Sequence, residues 1–385
     1  MSEPRVALVG ASGHGLWHRR QIAPMQEAGR VRLAGLVDVR PIEAAPDAPV
    51  PEGTELFTDH REMLRAVRPD VVVICTPPQT HLPIATDALR AGADVLLEKP
   101  PVLSLDEHRA LSDVVDETGR ALQVGFQALG SAALAELMGA IADGRLGVVT
   151  GVAAVASWHR ADSYYQRSPW AGKRTVDGHP SLDGALANPL AHAWMQCLAI
   201  AGLAPSTVEL ERYRCRDIEV DDTACLRITL ESGLPILVAV TLCGEEKIEG
   251  EVIVYGTGGT AVLEYPTDRL RLPGDSEFRE VPGRTSLLEN LLAHREKGEP
   301  LIAPLARTKP FTAVLDVLHA APQPTRLTDD LLSESGVAPE RFLTIKGINA
   351  VLRQATERLA LFSELAVPWA EQPLRVALNE EVTGA

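Results

Sequence analysis

From Arg5 to Phe126, short apolar runs rich in β-branched residues alternate with longer segments whose apolar positions recur at helical spacing. The runs Arg5–Val9, Val31–Val37, Val71–Cys75, Asp94–Leu97 and Ala121–Phe126, with a weaker one near Leu56, show almost no polar alternation. Strands of that kind are buried on both faces, so the pattern predicts a parallel sheet covered by helices. This part of the chain reads as α/β.

After a helix-like segment from Leu129 to Asp143 the texture changes, and runs such as Val148–Trp158, Ala224–Leu230 and Ile236–Leu242 read as longer strands. Glu231-Ser232-Gly233 joins two of them with no room for a crossover helix, which predicts a hairpin. Glu251–Tyr255, Thr260–Tyr265 and Arg269–Leu272 continue the series, and helices are expected at Pro189–Ala201, Leu287–Lys297, Pro310–Ala320 and Arg341–Leu365. The second part is therefore expected to be α+β with a mostly antiparallel sheet. No internal repeat or low-complexity tract is visible.

A chain of 385 residues exceeds the usual single-domain size, so two domains are expected. Its 37 basic and 52 acidic residues give a formal charge of -15, which repels nucleic acid and anionic membrane alike. The N-terminus enters an apolar run at once, without a basic region or a cleavage site, so no secretion signal is expected. The apolar stretch Ala121–Ala142 is broken by Gln123, Gln127 and Glu136, which opposes a membrane span. Cys75, Cys197, Cys215, Cys225 and Cys243 form an odd set without a CxxC pair. They fit reduced thiols in a cytoplasmic protein and suggest no zinc or other metal site.

The segment VALVGASGHGLWH sets a small-residue turn between the first strand and the first helix, where a dinucleotide pyrophosphate would meet backbone N–H groups. Gly10 suits the tight turn and Gly15 close helix packing, while Ser12 replaces the middle glycine of G-x-G-x-x-G with Gly13 beside it. Asp38 ends the second strand at the spacing of a carboxylate that grips the adenosine ribose, which favours NAD, although Arg40 leaves NADP open. The plainer alternatives are an ordinary loop at Gly10–Gly15 and a simple turn at Asp38 before Pro41.

Thr76-Pro77-Pro78 and Glu98-Lys99-Pro100 fall just past the ends of neighbouring strands, where ligands bind in open parallel sheets. Lys99 there would stabilise the alkoxide that develops as a hydride leaves, or would simply be solvated. Pro100-Pro101 stiffens its loop and admits a cis Lys-Pro bond. In DGALANPLAHAW, Asn188 and His192 are four apart, on one face of the expected helix. His192 is the candidate general base, titrating near neutral pH. Asn188-Pro189 also reads as an N-cap followed by Pro at the first helical position. Between these clusters lies a loop rich in aromatic and basic residues, in a chain with only 4% aromatics. Trp158, Tyr164, Tyr165 and Trp170 offer stacking faces for a sugar, and Arg160, Arg167 and Lys173 offer donors. The same residues could instead pin the loop or fill an oligomer interface.

With these residues assembled, the chain resembles the glucose-fructose oxidoreductase, inositol dehydrogenase and MocA (Gfo/Idh/MocA) family over most of its length. The stretches that carry the resemblance are CTPPQTHLPIATDALRAGADVLLEKP, the YYQRSPWAGKRTVDG and ALANPLAH block, and the GASGHG turn, with Glu98-Lys99-Pro100 the most specific. The resemblance implies a NAD-binding Rossmann domain over residues 1–126. Residues 127–385 would then form a substrate-binding and oligomerisation domain with an open, mostly antiparallel sheet and C-terminal helices. It implies cofactor contacts from Gly10, Ser12, Gly13, His14, Gly15, Asp38, Thr76, Pro77, His81, Glu98 and Lys99. It also implies homodimers or homotetramers formed through the sheet. Lys99 takes the place of the motif lysine and His192 that of the catalytic histidine, while Asn188 stands where the family usually has Asp. A neutral amide cannot take up a proton, so a positioning role is what remains for it.

The leading expectation is a NAD-dependent dehydrogenase acting on a secondary alcohol of a sugar, sugar derivative or cyclitol. The alternative is a glycoside hydrolase or lyase working through transient oxidation with retained NAD. A ligand-binding protein that keeps the fold without the chemistry is opposed by the presence of both Lys99 and His192. No G-x-S-x-G elbow or HExxH motif is present.

Overall fold

The apolar runs of the first part pair into a six-stranded, wholly parallel sheet: β1 (Arg5–Val9), β2 (Arg32–Val37), β3 (Glu55–Phe57), β4 (Val71–Ile74), β5 (Asp94–Leu97) and β6 (Leu122–Val124). Their order is β3-β2-β1-β4-β5-β6, with the connecting helices α1 (Gly15–Glu27), α2 (His60–Val67), α3 (His81–Arg90) and α4 (Leu105–Thr118). Every residue of β4 and β5 is buried, as their lack of polar alternation requires. Asp59 and Ser104 cap α2 and α4 by accepting from the N–H three residues on.

This computed structural model describes residues 3–378 apart from 177 and 203. The chain divides into two units, 1–126 with 286–312, and 127–285 with 313–385. A single division after residue 126 thus omits the return of 286–312 to the first unit. Burial is the reason. Leu287, Leu288, Leu291 and Leu292 of the helix Leu287–Lys297 join Val6, Leu8, Val71, Val73 and Leu96 in one core. Each such leucine contributes about 1.5–3 kcal/mol when removed from water. Gln123 secures the return, its Nε2 donating to Leu287 O at 2.6 Å and its Oε1 accepting from Ala303 N at 3.0 Å.

The second unit is built on the strand Val149–His159, parallel to Pro235–Thr241 and antiparallel to Cys243–Gly256. The sheet extends on both sides to ten strands, through antiparallel neighbours except where Thr325–Arg326 pairs in parallel with Pro205–Arg214, and does not close into a barrel. The hairpin at Glu231-Ser232-Gly233 joins Thr223–Leu230 to Pro235–Thr241. Ala153, Val155, Leu237 and Ala239 face a core supplied by the chain's own C-terminal part, including Leu343, Ile345, Ile348, Leu352 and Phe362. The alternate residues Val152, Ala154 and Ala156 point to the opposite face by the strand pleat and are equally buried. The helix Ala191–Ala201, buried at eight positions, packs against the same strands.

Two expectations change here, and one strand appears where the sequence pattern assigned no element. The region Arg341–Leu365 is not one helix. Phe342–Ile345 pairs with Leu332–Ser335 as a hairpin, and the helix Ile348–Arg358 starts only after Gly347, whose φ of +75° interrupts any helix from before it. The helix expected from Pro189 begins at Ala191, with Leu190 rather than Asn188 at its cap. Pro205–Arg214 is a strand although its Glu, Leu and Arg content favours a helix. Pairing with Thr223–Leu230 and Leu374–Ala377 overrides that local preference.

Candidate active site

The Gly10–Gly15 turn is held across the ends of β1 and β2, with Gly10 N and Ala11 N both donating to Val37 O at 2.8 and 3.1 Å. Gly10 has φ +86°, and a Cβ there would collide with the Cys75 carbonyl oxygen. A Cβ at Gly15 would strike the Gly10 carbonyl oxygen. Gly13 is a glycine for its φ of +58° alone, since a Cβ would meet nothing within 4 Å. Ser12 N donates to Asp38 Oδ2 at 2.8 Å, and Arg40 N to Asp38 Oδ1 at 3.0 Å. Burial works against the Asp38 charge, but these N–H groups, the Ser12 hydroxyl and the Arg40 guanidinium outweigh it and hold its pKa below the usual carboxylate value. Asp38 is thus an ionised acceptor fixed to the turn itself.

Thr76 and Pro77 follow β4, and Glu98 and Lys99 follow β5. The Lys99–Pro100 peptide is cis. His81 lies fully buried behind these loops, its Nε2 2.9 Å from Thr76 O and its Nδ1 2.9 Å from Pro100 O. It therefore joins two backbone loops rather than pointing at a ligand, and burial lowers its pKa despite the carbonyls around it. Glu98 is buried against His18 Nε2 at 2.9 Å, with His14 Nε2 at 3.8 Å. Burial opposes the Glu98 charge, yet the His18 hydrogen bond and the nearby His18, His14 and Lys99 charges bring its pKa down to about 2. His18, one turn beyond His14 on α1, escaped the sequence reading, although the H-x-x-x-H spacing was its signal. The ligand atoms of His14, His18 and Cys75 lie within 4.8 Å of one another. Burial pushes the Cys75 thiol well up, away from the thiolate a metal would need.

In the second unit His192 is the second residue of its helix, and Asn188 lies in the turn before it, its carbonyl accepting from Ala191 N at 3.4 Å. Asn188 Nδ2 donates to the buried Asp183 at 2.7 Å. The aromatic loop is filled largely by its own cations. Arg160 lies over Trp158 and Tyr164, and Arg167 over Tyr164 and Trp170. Trp158 Nε1 donates to Glu249 O at 2.8 Å. Of the expected sugar platforms, Trp158 and Tyr164 therefore pin the loop, while Trp170 stays 38% exposed. Tyr165 and Lys173 line a cavity of about 570 Å³ together with Asp162, Arg216, Arg326 and Arg341. Lys173 also pairs with Glu219 at 2.9 Å. Asp162, which binds both Arg216 and Arg341, and Asp183 are organising residues that sequence spacing did not single out.

Among the described residues no helix is long and apolar enough to cross a membrane, and all five cysteines are free thiols. Residues 4–126 match the model of an oxidoreductase family with a NAD-binding Rossmann fold, and residues 134–262 match the GFO/IDH/MocA C-terminal domain. The chain is 32% identical to inositol 2-dehydrogenase of Rubrobacter xylanophilus over 158 residues, 40% of this chain and 43% of that one. It is 30% identical to D-glucoside 3-dehydrogenase of Escherichia coli over 128 residues, 32% of this chain and 34% of that one. These alignments span less than half of either relative. The fold matches the WlbA dehydrogenase of Bordetella pertussis, solved with NADH and UDP-GlcNAcA, at a TM-score of 0.69 and 23% identity, covering 83% of this chain and 96% of that one. With both of its domains matched, the chain belongs to the Gfo/Idh/MocA oxidoreductase family.

Proposed function

We propose that this protein is a NAD-dependent dehydrogenase that moves a hydride between the nicotinamide and a secondary alcohol carbon of a sugar, sugar derivative or cyclitol. The observation that carries the reading is the gathering of the Gly10–Gly15 turn, Asp38, Thr76-Pro77 and Glu98-Lys99 at the carboxyl ends of β1, β2, β4 and β5. The residues present fit a dinucleotide. The first turn of α1 carries no acidic side chain to repel a pyrophosphate. The ionised Asp38 accepts from ribose hydroxyls and opposes a 2'-phosphate. Relatives named for inositol and for a glucoside support the substrate class.

Bound NAD would supply the hydride acceptor. Lys99 would donate to the substrate hydroxyl and stabilise negative charge on its oxygen, with Glu98 fixing the strand end beneath it. His192 would take the hydroxyl proton, with Asn188 orienting it. Trp170, Tyr165 and Lys173 are the remaining candidates for sugar contact. The test is NADH formation from a panel of cyclitols and free sugars, run beside aryl glycosides. Stoichiometric NADH with NAD and much less reduction of NADP is expected. Many phenols released per bound cofactor without NADH would establish the glycosidase instead, and no turnover with either set would reject the assignment.

A further inference from the structure

The segment 39–54 leaves the carboxyl end of β2 directly after Asp38, returns as β3, and contains Pro41, Pro46, Pro49 and Pro51. Those four residues have no N–H, and the segment forms no helix or strand beyond one bridge between Ala45 and Ala48. Carbonyl groups that it turns away from water need donors from elsewhere. Arg19 of α1 supplies them, Nη1 donating to Glu43 O at 2.9 Å and Nη2 donating to Ala48 O. Arg19 is only 2% exposed, its Nε is buried without a partner, and no carboxylate meets it among the described residues. One position on, Arg20 holds Asp47 of the same segment at 2.7 Å. Ile42 and Val50 pack onto the core that Ile22 and Met25 of α1 share.

We propose that Arg19 is a positioning residue for the cofactor, which fixes the 39–54 segment as a wall of the adenosine subsite by bridging two of its carbonyls to α1. This rests on the dinucleotide reading above. α1 opens at Gly15, on the turn assigned to the pyrophosphate, and Arg19 stands four residues, about 6 Å, along it. The segment starts at the carboxylate assigned to the adenosine ribose, which accepts from Ser12 N at 2.8 Å and Arg40 N at 3.0 Å. The helix that receives the phosphates therefore also sets the chain that runs on from the ribose acceptor. Val39, next to Asp38, is 87% exposed, an apolar side chain that a purine carried by that ribose would cover. A charge buried without a carboxylate is costly, and among the described residues the acceptors that Arg19 meets are these two carbonyls alone. The bridge depends on shape, since a guanidinium fork reaches two carbonyls at once and an ammonium is a point charge.

Arg19→Lys, which keeps the charge and gives up the fork, tests this in the full-length protein, with Arg19→Gln beside it. Both should weaken NAD and ADP-ribose about 10-fold by calorimetry, as the competent form of the segment becomes a minor one. A merely structural role would lower the melting temperature of the variants and leave these affinities alone. Amide exchange of the wild-type chain adds a readout that needs no variant to fold. ADP-ribose should slow exchange over 39–54, and NMN, which lacks the adenosine, should not. Wild-type affinity for ADP-ribose in either folded variant, or exchange over 39–54 that ADP-ribose does not slow or that NMN slows equally, overturns the proposal. If neither variant folds, the exchange result alone decides. Wild type that binds neither NAD nor ADP-ribose overturns the dinucleotide reading and this proposal together, whereas tight binding that the variants keep overturns this proposal alone.

Discussion

The two units hold their candidate site residues by different means. In the first, backbone does it. Strand ends and a glycine turn set Asp38, Thr76 and Lys99, and the tolerances are those of carbonyl oxygens packed against Gly10 and Gly15. In the second, side-chain ion pairs do it. Asp183–Arg167, Asp162–Arg216, Asp162–Arg341 and Lys173–Glu219 hold a loop that has little regular structure of its own. Damage to the first unit should therefore come from added volume, and damage to the second from altered charge.

The largest effect is expected where volume meets backbone. Gly10→Ala forces a Cβ onto the Cys75 carbonyl at a φ of +86°, so NAD binding by calorimetry should be lost and the melting temperature should fall. Gly13→Ala, with a similar positive φ and open space, should cost only about 1–2 kcal/mol of strain and retain measurable binding. Equal losses in the two variants would break the steric half of the comparison.

Next come the two candidate reacting groups, one on each unit. Lys99→Ala and His192→Ala should each lower kcat by about 100-fold or more, while NAD affinity stays within about 3-fold of wild type for His192→Ala in particular. Near-normal turnover in either variant would remove that residue from the proposed chemistry.

A smaller effect is expected from Asp162→Asn, which strips one carboxylate from both Arg216 and Arg341 at 2.9 and 2.8 Å. Loss of this partly buried network should cost about 1–3 kcal/mol by denaturant unfolding and raise KM for the sugar more than it lowers kcat. A change confined to kcat would show that the network is not what shapes the loop.

The same contrast explains what the sequence disclosed. β1, β2, β4 and β5 were legible because strands buried on both faces leave unbroken apolar runs, and the turn and Asp38 have a fixed spacing. The segment 286–312 gave no sign of belonging to the first unit, because amphipathic leucines specify that a face is buried and not what covers it. Pro205–Arg214 was hidden by helix-forming residues that a sheet edge recruits through pairing. Asp162 was hidden for a related reason, since its partner Arg341 lies 179 positions away, and Asp183 because its partners Arg167, Gly172 and Asn188, 16, 11 and 5 positions away, follow no helix or strand period. One face of the large sheet is covered by Leu343, Ile348, Leu352 and Phe362, and the hairpin and helix that supply that cover read in the sequence as a single long helix.

The finest distinction between the units lies in how their buried carboxylates respond to acid. Glu98 has its pKa brought down to about 2, burial being outweighed by His18, His14 and Lys99, so its charged form favours the folded state. Its contribution is full above the ordinary glutamate range and is lost as pH falls through that range toward about 2. Asp222 in the second unit is the reverse. Burial raises its pKa, and the N–H of Cys215, the Arg216 charge and the hydroxyl of Thr223 offset that only in part. Its protonated form favours the folded state, so its contribution is full below the ordinary aspartate range and is lost as pH rises through the raised value. Melting curves of Glu98→Gln and Asp222→Asn against wild type from pH 7 downward should therefore diverge in sign. Glu98→Gln should start below wild type and converge on it as pH falls. Asp222→Asn should compare best with wild type at neutral pH and lose that advantage in acid. Parallel curves for the two variants would mean that both carboxylates are held in the same way, and the electrostatic half of the comparison would fail.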